Sequence, residues 1–328
     1  MKILITGAGG FIGKNLKEAL QKQFDGAEIV SLKRKGKLAK GEYLVDYSNP
    51  QSLLDCEACN NVDHAFHLAG ITKGISFKDF YNTNVIPTEN LLNALKYKSP
   101  NLERFIFTSS QAAAGPSNDL EDKKTEQEED DSIINTVEYY GETKWMAEQV
   151  VQGYSSVLPC TTLRIASVYG PGDGDFLKIF KMVKSGINVY VGNKKKYFSL
   201  LYIDDLIEGM LSALLSSNTI SKTYFMCNDE PITWEQMHKA VFKAAGKEPL
   251  SFSIPFPIIK AASYLGDAYA WISGKPSLLN VQKIKLAEPD YWIASNQKAK
   301  KDFGFNPSIT LEEGVQRTYD YYLMNKHL

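Results

Sequence analysis

The chain has 328 residues, of which 44% are hydrophobic and 23% charged, and its formal net charge is −1. That length holds one large α/β domain, or one with a smaller lobe, and the composition is that of a soluble globular protein. A charge so close to zero excludes the broad basic footprint of a nucleic-acid binder.

The pattern of apolar residues predicts a first strand over about 2–6, a turn with glycines at Gly7, Gly10 and Gly13, and a helix from about Phe11 to Gln23. Gly7 permits a sharp turn, Gly10 lets backbone come close to a pyrophosphate, and Gly13 lets the helix pack tightly on the strand. The helix start then points free N–H groups and the positive end of its dipole at the phosphate. A glycine triplet is weak alone, but its position between a strand and a helix is the context dinucleotide binding requires. Strands follow at Ala27–Leu32, Tyr43–Val45 and His64–Leu68, then a long helical stretch from Phe77 to Tyr97, and strands at Arg104–Thr108 and Thr162–Ile165. Strands separated by helices predict an α/β fold, a doubly wound parallel Rossmann-type sheet with ligands at the carboxyl ends of its strands.

Beyond about residue 170, prolines and glycines punctuate shorter elements. Residues 1–170 read as the dinucleotide-binding domain and 171–328 as a smaller, interleaved substrate lobe. The strands Leu200–Ile203 and Thr223–Met226, within about 198–228, return to the first domain's sheet. Asp119–Asp131 is a charged loop. The apolar run Phe256–Ile272 contains Lys260 and Asp267 and is too short and broken to span a bilayer. Its aromatics Phe256, Tyr264, Tyr269 and Trp271 belong to the lobe's core, a subunit contact or a substrate wall. Cys56, Cys59, Cys160 and Cys227 form no disulfide framework, and Cys56-x-x-Cys59 has neither a second pair nor a histidine cluster, so no metal is expected. With a strand at the very start and reduced thiols, the expected location is the cytoplasm.

Strand two ends in Lys33 and Arg34 with no acid at its tip, which favours NADP over NAD. Asp46 is placed to accept from the adenine amino group, and Leu68, Ala69 and Gly70 give the flat backbone a cofactor lies against. Strand five runs into Thr108, Ser109 and Ser110. Downstream, Tyr140 and Lys144 are four apart on one helical face. A free phenol is a poor base, with a pKa near 10. A neighbouring ammonium and a cationic nicotinamide ring would lower it. Ser110 would hold the reacting oxygen while Tyr140 moves its proton.

The set TGAGGFIG (6–13), HLAG (67–70), Asn84, TSS (108–110), YGETK (140–144), LRIASVYGPGD (163–173) and YIDDL (202–206) resembles the extended short-chain dehydrogenase/reductase superfamily, and within it the NAD-dependent epimerase/dehydratase group. The resemblance implies catalytic roles for Ser110, Tyr140 and Lys144, a supporting role for Asn84, a bound NAD(P), a small-molecule substrate, and a homodimer packed through helices near 77–97 and 137–153. Dehydratases of the group carry an Asp-Glu pair where this chain has Ser109 and Ser110, which argues against dehydration. Many nucleotide-sugar enzymes have asparagine at Ser167 and arginine at Phe198. By that comparison Ser109, Ser110, Ser167 and Phe198 are expected to face substrate, and Leu163–Asp173, Phe198–Leu206 and the C-terminal third more closely resemble hydroxysteroid dehydrogenases and dihydroflavonol-type reductases. Three readings stay open: a nucleoside-diphosphate-sugar epimerase, a carbonyl reductase or dehydrogenase, and a non-catalytic NAD(P) sensor.

Overall fold

The computed structural model describes residues 1–121, 135–274, 277 and 279–328. Most of the charged loop at Asp119–Asp131 lies outside the described residues. The first half comprises β1 (Lys2–Thr6), α1 (Phe11–Gln23), β2 (Glu28–Lys33), β3 (Glu42–Leu44), α2 (Pro50–Leu54), β4 (His64–His67), α3 (Phe77–Phe80), α4 (Ile86–Lys98), β5 (Arg104–Ser110), α5 (Tyr139–Tyr154) and β6 (Cys160–Ile165). The second begins with β7 (Ser167–Tyr169), α6 (Gly174–Lys184), β8 (Ile187–Val191), β9 (Tyr197–Phe198), β10 (Leu200–Tyr202), α7 (Ile203–Leu215) and β11 (Lys222–Met226). It ends with β12 (Ile232–Thr233), α8 (Trp234–Ala245), β13 (Leu250–Ile254), α9 (Phe256–Ser273), α10 (Val281–Ala287), β14 (Tyr291–Trp292), α11 (Gln297–Phe303) and α12 (Leu311–Met324).

Among the described residues the central sheet has seven strands in the order β11-β6-β5-β4-β1-β2-β3, and every pairing in it is parallel. Side chains alternate along each strand. Ile3 and Ile5 therefore face one helical layer, with Leu16 of α1, Met210 of α7 and Val315 of α12. Leu4, Phe105 and Phe107 face the other, with Leu91 and Leu95 of α4 and Ala147 of α5. Each such fully buried side chain contributes roughly 1.5–3 kcal/mol. Chain order reverses between β1 and β4, and the crevice at a reversal of this kind is where open α/β sheets bind ligands.

Four details differ from the sequence expectation. β5 runs two residues further, to Ser110, because Ser109 and Ser110 pair in register with Arg164 and Ile165. The helix expected over 77–97 is interrupted by a wide π turn at Tyr81–Val85. Pro87 has no N–H to continue the regular ladder, and α4 restarts with it in the first turn. β10 does not return to the central sheet; it pairs with β7 in a separate ribbon, whereas β11 does return, beside β6. In α9 only Ile259, Ser263 and Ala270 are buried, so its aromatics are not the core of the lobe.

Candidate active site

The turn after β1 is shaped by steric necessity. Gly7 has φ +73°, and a Cβ there would lie 2.8 Å from the carbonyl carbon of Leu68. A Cβ on Gly13 would lie 2.3 Å from the Gly7 oxygen. Only glycine lets α1 sit this close to β1, and lets the turn touch the loop leaving β4. Gly10 caps α1 with extended backbone, and no acidic residue stands in the helix's first turn to compete for an anion. These features fit a pyrophosphate at Gly7, Gly10, Phe11, Ile12 and Gly13.

A buried chain of hydrogen bonds fixes the other wall. The Ala69 N–H donates to Thr6 Oγ1 over 3.0 Å, and Thr6 Oγ1 lies 2.7 Å from His67 Nδ1. His67 Nε2 lies 2.9 Å from Thr88 Oγ1, which donates to the Asn84 carbonyl over 2.7 Å. Because the Thr88 proton is committed to that carbonyl, Thr88 accepts from Nε2–H, and Nδ1 accepts from Thr6. His67 is thus neutral in one defined tautomer. Burial, and then the Lys144 charge, push its pKa down to about 3. Sequence reasoning took His67 only as part of the HLAG segment; its spacing to Thr6 and Thr88 gives no signal before the strands are paired.

Asn84 sits behind the site rather than in it. Its Oδ1 accepts from the Ile71 N–H over 2.9 Å and its Nδ2 donates to Thr143 Oγ1 over 3.1 Å. A Cβ on Gly70 would lie 2.9 Å from that Oδ1. Asn84 therefore positions the loop after β4 against α5 from the wide turn.

α5 begins at Glu138, whose carboxylate accepts from the backbone N–H groups of Tyr140 and Gly141 at 2.5 and 2.6 Å. Tyr139 packs edge-on against Phe77, which leaves Tyr140 as the site tyrosine. Burial raises the Tyr140 phenol to about 12; the Ser110 hydroxyl, hydrogen-bonded to it, pulls the other way, and Glu138 adds to the rise. The expected lowering of this phenol by Lys144 is not seen. The Lys144 ammonium donates to the Thr108 carbonyl over 2.6 Å and lies 4.5 Å from the centre of the Phe107 ring. Burial pushes Lys144 down to about 8, and Glu148 partly restores it.

That burial has a measurable cost. At pH 7 the ammonium is charged in both the folded and unfolded chain, so the full shift from 10.5 to about 8 opposes folding. Lys144→Met is expected to stabilise the cofactor-free protein by on the order of 3 kcal/mol at pH 7. The gap should close as pH rises from 8 through 10.5, where both states release the proton. Thermal unfolding of the two proteins across that range checks it, and a gap that does not change with pH contradicts the account.

Ser109 is a correction. It was expected to face substrate, but alternation along β5 turns it with Phe105 and Phe107 towards α5. There its hydroxyl donates to Glu148 in a short hydrogen bond, and it is buried. Glu148 is also gripped by Arg164, with Nη2 to Oε2 at 2.7 Å and Nε to both oxygens at 3.1 Å. Both members of this ion pair are 5% exposed. The clue in the sequence is Arg164 inside an otherwise apolar strand, with Glu148 one helical turn beyond Lys144. Phe198 is also corrected: it is buried in the main core, its ring 4.7 Å from that of Trp234, and does not face substrate. Ser167 is exposed at the start of β7. At the adenosine end, Lys33 is not free for a 2′-phosphate, because its ammonium is 2.6 Å from Glu42. Arg34 is exposed beside it. Asp46 is exposed too, with its Oδ1 accepting from the backbone and hydroxyl of Ser48 at 2.9 and 2.6 Å.

The model of the NAD dependent epimerase/dehydratase family matches residues 3–226. A 2-alkyl-3-oxoalkanoate reductase of Stenotrophomonas maltophilia is 27% identical, over 97% of this chain and 98% of that protein. A 3 beta-hydroxysteroid dehydrogenase/Delta 5-->4-isomerase of Mycobacterium tuberculosis is 28% identical, over 98% of this chain and 90% of that protein. Among solved structures, UDP-glucuronic acid 4-epimerase from Bacillus cereus in complex with NAD has the same fold, with TM-score 0.77 and 23% identity over 99% of each chain.

Proposed function

This chain belongs to the NAD dependent epimerase/dehydratase family, and on that premise we propose that it is an NAD(P)-dependent oxidoreductase interconverting a secondary alcohol and a ketone. The observation that carries this reading is the convergence of Ser110, Tyr140 and Lys144 where β5 and β4 end, beside the glycine turn. The residues that would hold the dinucleotide are Gly7, Gly10, Phe11, Ile12 and Gly13 at the pyrophosphate, Arg34 and Asp46 at the adenosine, and Leu68, Ala69, Gly70, Thr108, Tyr140 and Lys144 along the nicotinamide end. A bound nicotinamide supplies or accepts the hydride. The chain's own groups handle the proton. Ser110 donates a hydrogen bond to the substrate oxygen and fixes its distance from Tyr140. With the phenol raised to about 12, Tyr140 carries its proton at neutral pH. It is therefore set to protonate an oxygen that becomes alkoxide, the need of ketone reduction. Lys144 holds the end of β5 through the Thr108 carbonyl and places its positive charge under the site.

Two features support a substrate other than a nucleotide sugar. Phe198 stands where many nucleotide-sugar enzymes place a diphosphate-binding arginine, and it is buried. Over nearly their full lengths, the reductase and the steroid dehydrogenase above are 27% and 28% identical to this chain, against 25% for an uncharacterized UDP-glucose epimerase of Bacillus subtilis. The family's name covers dehydratases, so membership does not speak against dehydration; the serines at positions 109 and 110 do, because hydroxyls do not exchange carbon-bound protons at neutral pH.

The deciding test is to denature purified protein, identify any released nucleotide by mass, and titrate emptied protein with NADH and NADPH. An empty protein that binds NADPH more tightly supports net oxidoreduction. Stoichiometric NAD in the purified protein replaces this reading with epimerisation on a retained cofactor. Binding of neither overturns it. With Lys33 engaged by Glu42, discrimination rests on Arg34. Arg34→Ala is expected to weaken NADPH about ten- to hundredfold and leave NADH unchanged. Equal losses for both cofactors, or none, contradict NADP use.

A further inference from the structure

Cys56 and Cys59 stand on the tight turn that joins α2 to β4. The Cys59 N–H donates to the Cys56 carbonyl over 3.0 Å, which closes the turn. Such a turn brings its first and last Cα atoms within about 7 Å, and a disulfide spans about 4.4–6.8 Å between Cα atoms. The side chains meet as well, the Cys59 thiol donating to the Cys56 sulfur. Neighbouring elements hold this arrangement in place. The Lys2 ammonium, on β1, donates to the carbonyls of Glu57 and Asn60 over 3.1 and 2.9 Å. The Ser99 hydroxyl, at the end of α4, donates to the Cys59 carbonyl over 2.7 Å.

The two thiols are not equivalent. Cys56 is half-buried and open to solvent on one side. Cys59 is fully buried in the core with Leu53, Ala58, Leu91 and Leu95. A reagent in solution therefore reaches Cys56 first. Its surroundings favour the thiolate, the form that reacts. The Cys59 thiol, then the backbone N–H groups of Ala58 and Cys59 and the Lys2 charge, bring Cys56 down to about 6 against the opposing effect of burial. The same hydrogen bond, with burial, pushes Cys59 up, so that it keeps its proton. Lys98 stands on the Cys59 side, the exposed carboxylates of Asp55 and Glu57 flank Cys56, and burial holds the nearby Tyr47 phenol protonated. Among the described residues no group of three or more His, Cys, Asp and Glu is placed to hold a metal ion, so the pair has no further ligands to recruit.

We propose that Cys56 and Cys59 are a reversible redox pair, oxidised by low-molecular-weight disulfides of the glutathione class and reduced again by thiols. The Cys56 thiolate attacks one sulfur of the small disulfide, whose S–S bond breaks and releases one thiolate. The Cys59 sulfur then attacks Cys56 in the mixed disulfide, and its proton passes to the second departing thiolate. The protein gives up two electrons and gains an internal disulfide, while the small disulfide is reduced to two thiols. In a reducing compartment such a pair rests as free thiols and is oxidised transiently. The inference does not depend on the reaction proposed above. The turn leads into the amino end of β4, whereas Ser110 ends β5, which runs parallel to β4.

The test treats the full chain with oxidised glutathione at pH 7 and reads intact mass. The wild type is expected to lose two hydrogens, retain no glutathione, and return to its starting mass with dithiothreitol. Cys59→Ser should retain one glutathione, because nothing resolves the mixed disulfide. Cys56→Ser should react at least about a hundredfold more slowly, since Cys59, Cys160 and Cys227 are all buried. That variant changes a half-exposed position, so it decides the matter even where Cys59→Ser does not fold. Alkylation of the wild type by iodoacetamide should reach half its maximal rate near pH 6, not near the 8.5 of a free thiol. No oxidation of the wild type overturns the proposal. So does a glutathione adduct that persists on it, or undiminished reaction in Cys56→Ser.

Discussion

Tyr140→Phe is expected to lower turnover by a factor on the order of 10³ while dinucleotide affinity changes by no more than about twofold. The change removes one hydroxyl and keeps the ring that helps wall the nicotinamide end. On the proposed reaction, the hydroxyl is the group that protonates the substrate oxygen, and Ser110 cannot replace it at neutral pH. Cofactor affinity would rest on the glycine turn and the adenosine end, which the substitution does not touch. Cofactor titration alongside single-turnover reduction of a ketone separates the two quantities. Full activity in the variant would sink the proton-transfer role, and a large loss of cofactor affinity would show that the tyrosine is a binding residue instead.

Breaking the Glu148–Arg164 pair is expected to cost roughly 3–5 kcal/mol of folding stability. Arg164→Met leaves a carboxylate in the dry space between β5, β6 and α5, answered only by the Ser109 hydroxyl and, without a hydrogen bond, by the charge of Lys144. Replacing Glu148 by Leu and Ser109 by Ala in the same chain removes the stranded charge and its partner, so most of the loss should return. Urea unfolding of the single and combined variants measures both terms. A loss below about 1 kcal/mol in Arg164→Met would mean that the pair is solvated in solution. Glu148 also raises the proton affinity of Lys144, so this buried pair links the strength of the sheet to the charge state of the site.

The parallel sheet, its glycine turn and the shared helical face of Tyr140 and Lys144 were legible in the sequence, because each follows from local rules. Strand period, glycine at a positive φ and helical spacing are all short-range. The misreadings have a common physical origin in longer-range pairing. Ser109 looked like a site residue because it stands where the group's dehydratases carry an acid; two further residues of pairing with β6 fix its direction. Lys33 looked available for a phosphate because its partner, Glu42, lies on the neighbouring strand and not in the same turn. Phe198 was placed by comparison with other enzymes, and the packing of Trp234 over it decides otherwise. His67 carried no signal at all, since its two partners come from β1 and α4. For Trp271 the structure removes one of the three readings, the lobe's core, and the sequence could not choose among them because apolar periodicity tells which residues share a face, but not what covers that face.

The wide turn at Tyr81–Val85 also constrains how this protein can change over evolutionary time. It behaves as one residue inserted into a helix that would otherwise be continuous. Losing any one of those residues would restore a regular backbone and rotate α3 by about 100° relative to α4. Asn84 would then leave both Ile71 and Thr143. Point substitutions can sample the outward positions of this segment but not the buried Asn84 and Val85, and a single-residue deletion cannot be repaired by any nearby side chain. Lineages descending from this chain should therefore keep Asn84 and the length of this turn, and vary only at its outward positions.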